Sequence, residues 1–124
     1  MEVPTQSADL QEQIITWKGE VDNVRSDLRA MRCRLEEMAP HQANHERMVQ
    51  VEHFQNQFIR QLEVADEMFH DLKQSARSMG NGRPAIVHHD RPVDNYDALQ
   101  DRMEMFHKLY SDLKGDFSRF ESFR

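Results

Sequence analysis

Cysteine is almost missing. Cys33 stands alone in 124 residues, so no disulfide can close within the chain. Glycine and proline are scarce too, four of each. Pro40, Gly80, Gly82, Pro84 and Pro92 fall where the apolar periodicity stops. β-branched residues are few beside Leu, Met and Phe, which argues against a sheet. No apolar run approaches the roughly 18 residues of a membrane span. Positive charge is neither dominant nor gathered: 16 Lys+Arg stand among 22 Asp+Glu, for a net charge of -6. Phosphate recognition needs a positive face, so nucleic acid and anionic membrane surfaces are excluded as main ligands. The N-terminus, Met-Glu-Val-Pro-Thr-Gln-Ser, has neither the basic region nor the apolar core of a signal peptide. We expect a cytoplasmic protein of one domain spanning 1–124.

What the chain does have is a heptad. Leu10, Ile14, Trp17, Val21, Val24, Leu28, Met31, Leu35 and Met38 alternate in steps of four and three. That spacing places one apolar stripe along one side of a helix. The stripe predicts a first helix over 7–38, broken at Ala39-Pro40-His41 because proline restricts its predecessor and lacks a donor. Cys33 falls at position f of that heptad, the outermost site, and reads as a reduced surface thiol. A second helix over 44–79 carries Met48, Val51, Gln55, Phe58, Leu62, Ala65, Phe69, Leu72, Ala76 and Met79, with Phe54, Ile59 and Met68 flanking. Gly80-Asn81-Gly82 is a terminating signal. Residues 80–92 read as a loop, and Asp94 as the N-cap of a third helix over 95–122. Its stripe is Tyr96, Leu99, Met103, Phe106, Tyr110, Leu113, Phe117 and Phe120. Gln55 is the single polar residue at position a of the second helix.

Flanking charges suggest how the helices pair. Folding the first two helices about Gln42 brings Arg32 to Glu52, Lys18 to Asp66 and Arg25 to Ile59. The acidic g and basic e positions of the first helix also suit a parallel pair of copies, through Glu20–Arg25 and Asp27–Arg32. A fold about the long loop sets Phe54 against Phe123, Met68 against Leu109, Gln61 against Asp116 and Ser75 against Arg102. The layers become Trp17–Phe69–Phe106, Val21–Ala65–Tyr110 and Leu28–Phe58–Phe117. Between the first and third helices a register one heptad away matches Glu20–His107, Asp27–Lys114 and Arg34–Glu121. The expected fold is all-α, an elongated antiparallel three-helix bundle of coiled-coil type. In outline it resembles spectrin-type repeats, on three long heptad helices and a Trp within the first. That resemblance is one of architecture and implies no site or partner.

Chemistry is thin. Glu67-Met-Phe-His70 recurs as Glu104-Met-Phe-His107, and Glu-x-x-His on bundle helices is a di-iron signature when the carboxylates face inward. The stripe phase instead turns Glu67, His70 and Glu104 to water. His41 and His45 are spaced to clamp a metal, and His88-His89-Asp90 cluster in the loop, but neither set has a third ligand at diagnostic spacing. No nucleophile–base motif or phosphate loop occurs. We therefore expect no catalytic, cofactor or metal residues. The expected function is a non-enzymatic interaction or scaffold module binding proteins, a second copy among them; exposed Ile15, Val49, Val64, Met105, Ile86 and Val87 lean that way. The alternative is a metal-binding or ligand-binding bundle that uses His and Glu.

Overall fold

A computed structural model describes residues 3–42, 44–80, 86–88, 91–92 and 96–123, with side chains for 10–42, 44–77 and 97–123. It is a three-helix bundle: α1 (Val3–Met38), α2 (His45–Gly80) and α3 (Tyr96–Ser122). At 1.5 Å per residue, the 36 residues of α1 span roughly 54 Å. α1 begins four residues before the expected Ser7. Pro4 lies in its first turn, where a missing N–H costs nothing.

Pro40 ends α1 as its sequence implies. Ala39–His41 form one 3-10 turn with Pro40 at its start, and Gln42 turns extended at φ -84°, ψ 120°. Asn44 then caps α2, its Oδ1 accepting the Arg47 backbone N–H at 2.8 Å. The loop expected over 80–92 needs correction at both ends of a small ribbon. Ile86–His88 (β1) and Arg91–Pro92 (β2) pair antiparallel, as β-branched Ile86 and Val87 favour. Asp94, His89 and Asp90 lie outside the described residues.

Every stripe site of α1 from Ile14 to Met38 is buried, as are Leu99, Met103, Phe106, Leu113, Phe117 and Phe120 of α3. α2 is different. Its position-d residues Val51, Phe58, Ala65 and Leu72 are buried. Its position-a residues are not: Met48 is exposed, and Gln55, Leu62, Phe69 and Ala76 are half-buried. Buried instead are Phe54, Met68 and Ser75 at position g, together with Asp71. The helix is rotated toward its g side. An electrostatic difference accompanies it: position e carries Glu52, Ile59, Asp66 and Lys73, whereas over the same turns position g carries Phe54, Gln61, Met68 and Ser75. Turning toward g keeps those three e charges in water, while it encloses Asp71, which Arg102 meets at 2.8 Å.

That rotation moves the expected partners. Of the Trp17–Phe69–Phe106 layer, Trp17 and Phe106 are buried, but Phe69 sits at the edge. Its ring lies 5.8 Å from Lys18 Nζ and 4.7 Å from Arg25 Cζ. Arg25, not Lys18, meets Asp66, at 3.3 Å, and Arg32 pairs within α1 with Glu36 at 3.6 Å rather than with Glu52. The 3-10 turn displaces the fold line from Gln42 toward the start of α2. Phe54 packs on Phe117 and Phe120, centroids 5.4 and 5.1 Å apart, while Phe123 is 76% exposed. Met68 is buried and Leu109 exposed, and Arg102 reaches Asp71, one turn from Ser75. The Phe58–Phe117 contact is present, at 5.1 Å.

α1 and α2 approach each other most closely, and α3 rests on both at wider spacing. Small residues explain the difference. Val21, Val24, Val51 and Ala65 let the first two backbones come near, whereas α3 presents Met103, Phe106, Phe117 and Phe120.

Candidate functional site

Two of the concavities on the bundle follow from how the helices are held. The first lies at the turn end, a cleft of about 730 Å³ among Arg34, Glu37, His41, Arg47, Glu121 and Phe123. Its cations are committed. Arg34 donates through Nε and Nη2 to the two oxygens of Glu121, at 2.8 and 3.2 Å. That forked bond, more than Glu121's charge, raises the guanidinium above its already high ordinary value. Arg47 donates to Gln42 Oε1 at 3.0 Å and to the Phe120 carbonyl at 3.2 Å, and lies 3.8 Å over the Phe120 ring. Gln42 in turn donates to the Met38 carbonyl at 2.9 Å. These bonds clasp the turn to the C-terminal end of α3, where cations are favoured. The cleft is a seam fastened by its own charges.

The second is a groove between α2 and α3, about 500 Å³, lined by Asn56, Gln57, Arg60, Gln61, Val64, Phe106 and Leu109. Gln61 donates to the Leu109 carbonyl across it at 3.0 Å. Phe106 is the buried floor and Val64 is half-buried; Leu109 stands 44% exposed at its α3 rim, and Met105, 56% exposed, lies one turn before Leu109 on α3. Arg60 is the one charge among its lining residues; Asn56, Gln57, Gln61 and Val64 bring none. Interface centres are depleted of charge in the same way. Wide α3 spacing leaves the groove open.

The α1–α3 edge is bridged by polar crosspieces at heptad spacing, with a smaller cavity of about 190 Å³ between them. Glu20 Oε1 meets His107 Nε2 at 2.8 Å, Tyr110 donates to Asp27 at 2.5 Å, and Arg34 holds Glu121. The Glu20–His107 register is therefore the one found, with Tyr110 taking Asp27 in place of Lys114. Lys114 Nζ lies 5.6 Å from the Tyr110 ring instead. Burial first, then this hydrogen bond, pushes the Tyr110 hydroxyl's pKa well above its ordinary value.

The sequence motifs scatter. Glu67, His70 and Glu104 face solvent on outer surfaces, while His107 is held by Glu20. His41 and His45 are both exposed, on the 3-10 turn and the first residue of α2. Among the described residues no three His, Cys, Asp or Glu side chains converge. Cys33 is exposed. Ile15 and Val49 are exposed on outer faces, as expected.

Arg34 pairs with Glu121 as the alternative register expected, whereas two residues that sequence reasoning passed over, Arg47 and Asp71, also organise the surfaces. Asp71 is 1% exposed and accepts from Arg102 Nη2 at 2.8 Å. A signal for it existed. Once α2 is phased on Phe54, Met68 and Ser75, Asp71 lies beside them and faces α3. No protein-family model, curated protein sequence or solved structure matches this chain. Function therefore has to be argued from these surfaces alone.

Proposed function

We propose that the chain is a non-enzymatic helical-bundle module that binds other proteins as an interaction or scaffold element. The observation that supports this is the α2–α3 groove: a strip whose lining carries a single charge, Arg60, with Leu109 exposed beside half-buried Val64 and Met105 exposed one turn before it, on a chain in which 31% of residues are charged. Exposed apolar side chains next to a concave strip are what a protein surface uses as an anchor. No described helix is long and apolar enough to cross a membrane, and the basic side chains are spread among acids, which favours a protein over a lipid surface or nucleic acid. A cytoplasmic location is part of this proposal, on the single exposed thiol, Cys33.

The test is covalent capture in cells with a photocrosslinker at Gln57, compared between the parent and a Met105→Glu/Leu109→Glu variant. Both substituted residues are exposed, so the variant keeps its fold. A protein adduct of the parent that the variant loses supports the reading. Equal adducts in both, or none in either, overturn it. Glu20 and His107, 2.8 Å apart on neighbouring helices, are the observation that favours the alternative, a His/Glu metal or ligand site. Elemental analysis of tag-free protein separates the two: a stoichiometric transition metal would establish the alternative.

A further inference from the structure

We propose that the α1–α2 face, on the side of the bundle away from α3, joins two copies of the chain antiparallel about a twofold axis perpendicular to the helices. The rotation of α2 toward its g side prepares this face, because it withdraws the a row from the core. Seven large apolar residues are exposed among the described residues, and four fall here: Ile15 at position b of α1, and Met48, Val49 and Ile59 at a, b and e of α2. Leu62 and Phe69 lie half-buried among them. Apolar side chains gathered on one side of a charged chain mark a contact surface. It is a different surface from the α2–α3 groove.

The charges on this face identify the occupant as a second copy. In a twofold contact, residue i meets j and j meets i, so a self-complementary face carries opposite charges at equal distances from one point. Row e of α2 does so. Glu52 and Lys73 are exposed, and neither meets an opposite charge among the described residues. Leu62 and Glu63 are their midpoint. α1 repeats the arrangement at the same level. Arg25 meets Asp66 at 3.3 Å and Lys18 lies 5.8 Å from the Phe69 ring, which sets α1 near Asp27 beside Leu62. Lys18 and Glu36 stand nine residues either side of Asp27, and Asp22 and Arg32 five. Antiparallel copies crossing there bring Glu52 to Lys73, Lys18 to Glu36 and Asp22 to Arg32, each twice, around a centre of Leu62 and Ile59. Arg25 and Arg29 oppose each other at the crossing, but Arg25 arrives with Asp22 and Asp66 beside it, at 3.7 and 3.3 Å. The Arg32–Glu36 pair, exposed and 3.6 Å apart within one turn, is weak enough to exchange partners. A twofold along the helices fails the same charges. It lays α1 on the other copy's α2 at unchanged height, setting Lys73 near Lys18 and Glu52 near Glu36, like on like.

Sedimentation velocity of the full chain, run from the low to the high micromolar range, tests this. The parent becomes dimeric across that range. Glu52→Lys and Lys73→Glu each raise the dimer dissociation constant about tenfold, because each turns two attractions into two repulsions. Glu52→Lys/Lys73→Glu restores the parent value, since the exchanged charges face each other again. Met105→Glu/Leu109→Glu, in the α2–α3 groove, leaves the constant unchanged. All four positions are exposed, so helicity is retained throughout. A parent that stays monomeric overturns the proposal. So does a constant indifferent to the single reversals, a double reversal weaker than either single one, or a dimer lost in the groove variant. Failure here leaves the groove reading standing, because the crosslinker at Gln57 reads the other face.

Discussion

Polar side chains at the helix edges act through what surrounds them. Tyr110 shows this most sharply. Partial burial penalises its ionised form most, and the hydroxyl's hydrogen bond to Asp27 at 2.5 Å adds to that. The folded state therefore holds the phenol proton more tightly than the unfolded chain, whose tyrosine titrates near 10. Below about pH 10 both states are protonated and the contribution is fully present. As pH rises beyond that, the unfolded chain loses its proton first, and stability falls. Denaturant unfolding of the parent should weaken more steeply above pH 10 than unfolding of Tyr110→Phe. Parallel curves would mean that the Tyr110–Asp27 bond does not persist in solution. Arg25 shows the opposite case. Its guanidinium is stationed over Phe69, and neither Asp66 nor Asp22 meets its buried Nε and Nη1 in hydrogen-bond alignment. The aromatic face supplies the attraction there.

Helices are the scale at which the sequence was most informative, and also where it misled. α1 could be read outright: a stripe from Ile14 to Met38 without interruption, closed by Pro40. One defect remains in it. Gly19 sits mid-helix on an exposed face, and a Cβ added there meets nothing within 4 Å. Gly19→Ala should stabilise the fold by about 0.5–1 kcal/mol, since glycine is the poorer helix former and loses more backbone freedom on folding. Thermal or denaturant unfolding checks this, and a lower midpoint would mean that α1 departs from regular helix at that point. α2 was legible as a helix but not in its rotation. A stripe flanked by Phe54, Ile59 and Met68 is broad enough to be read in two phases, and the a/d reading follows the apolar count. The charge on Glu52, Asp66 and Lys73 outweighs that count, because desolvating an ion costs more than exposing Met48 or half-exposing Phe69. Asp71 was missed together with the rotation: its place on the buried side shows only once α2 is phased on Phe54, Met68 and Ser75, and Arg102 lies 31 residues away from it. The two concavities were beyond the sequence altogether, since both depend on how far α3 stands from the other helices.

For the molecule as a whole, the open issue is whether the α1–α2 contacts belong to one chain or to two. The charges of α1 at positions e and g suit a homodimer as well as a hairpin, and both uses compete for the same face. Within one chain, Arg25 faces Asp66 at 3.3 Å across α1 and α2. The turn that joins these helices is short: Ala39–His41, the extended Gln42, and Asn44 capping α2. So short a tether supplies an effective concentration on the order of millimolar, far above the micromolar range of ordinary solutions. Arg47 adds a clasp from that turn to the end of α3, which a swapped arrangement, with the turn pulled straight, would have to release. The hairpin should therefore win at all accessible concentrations. Cysteines at Arg25 and Asp66, in a Cys33→Ser background, should bridge within a single chain. The product should run as a monomer, and its yield should not change on dilution from the high to the low micromolar range. A dimeric product whose yield climbs with concentration would show α1 and α2 exchanged between copies, with the helix continuous through Pro40.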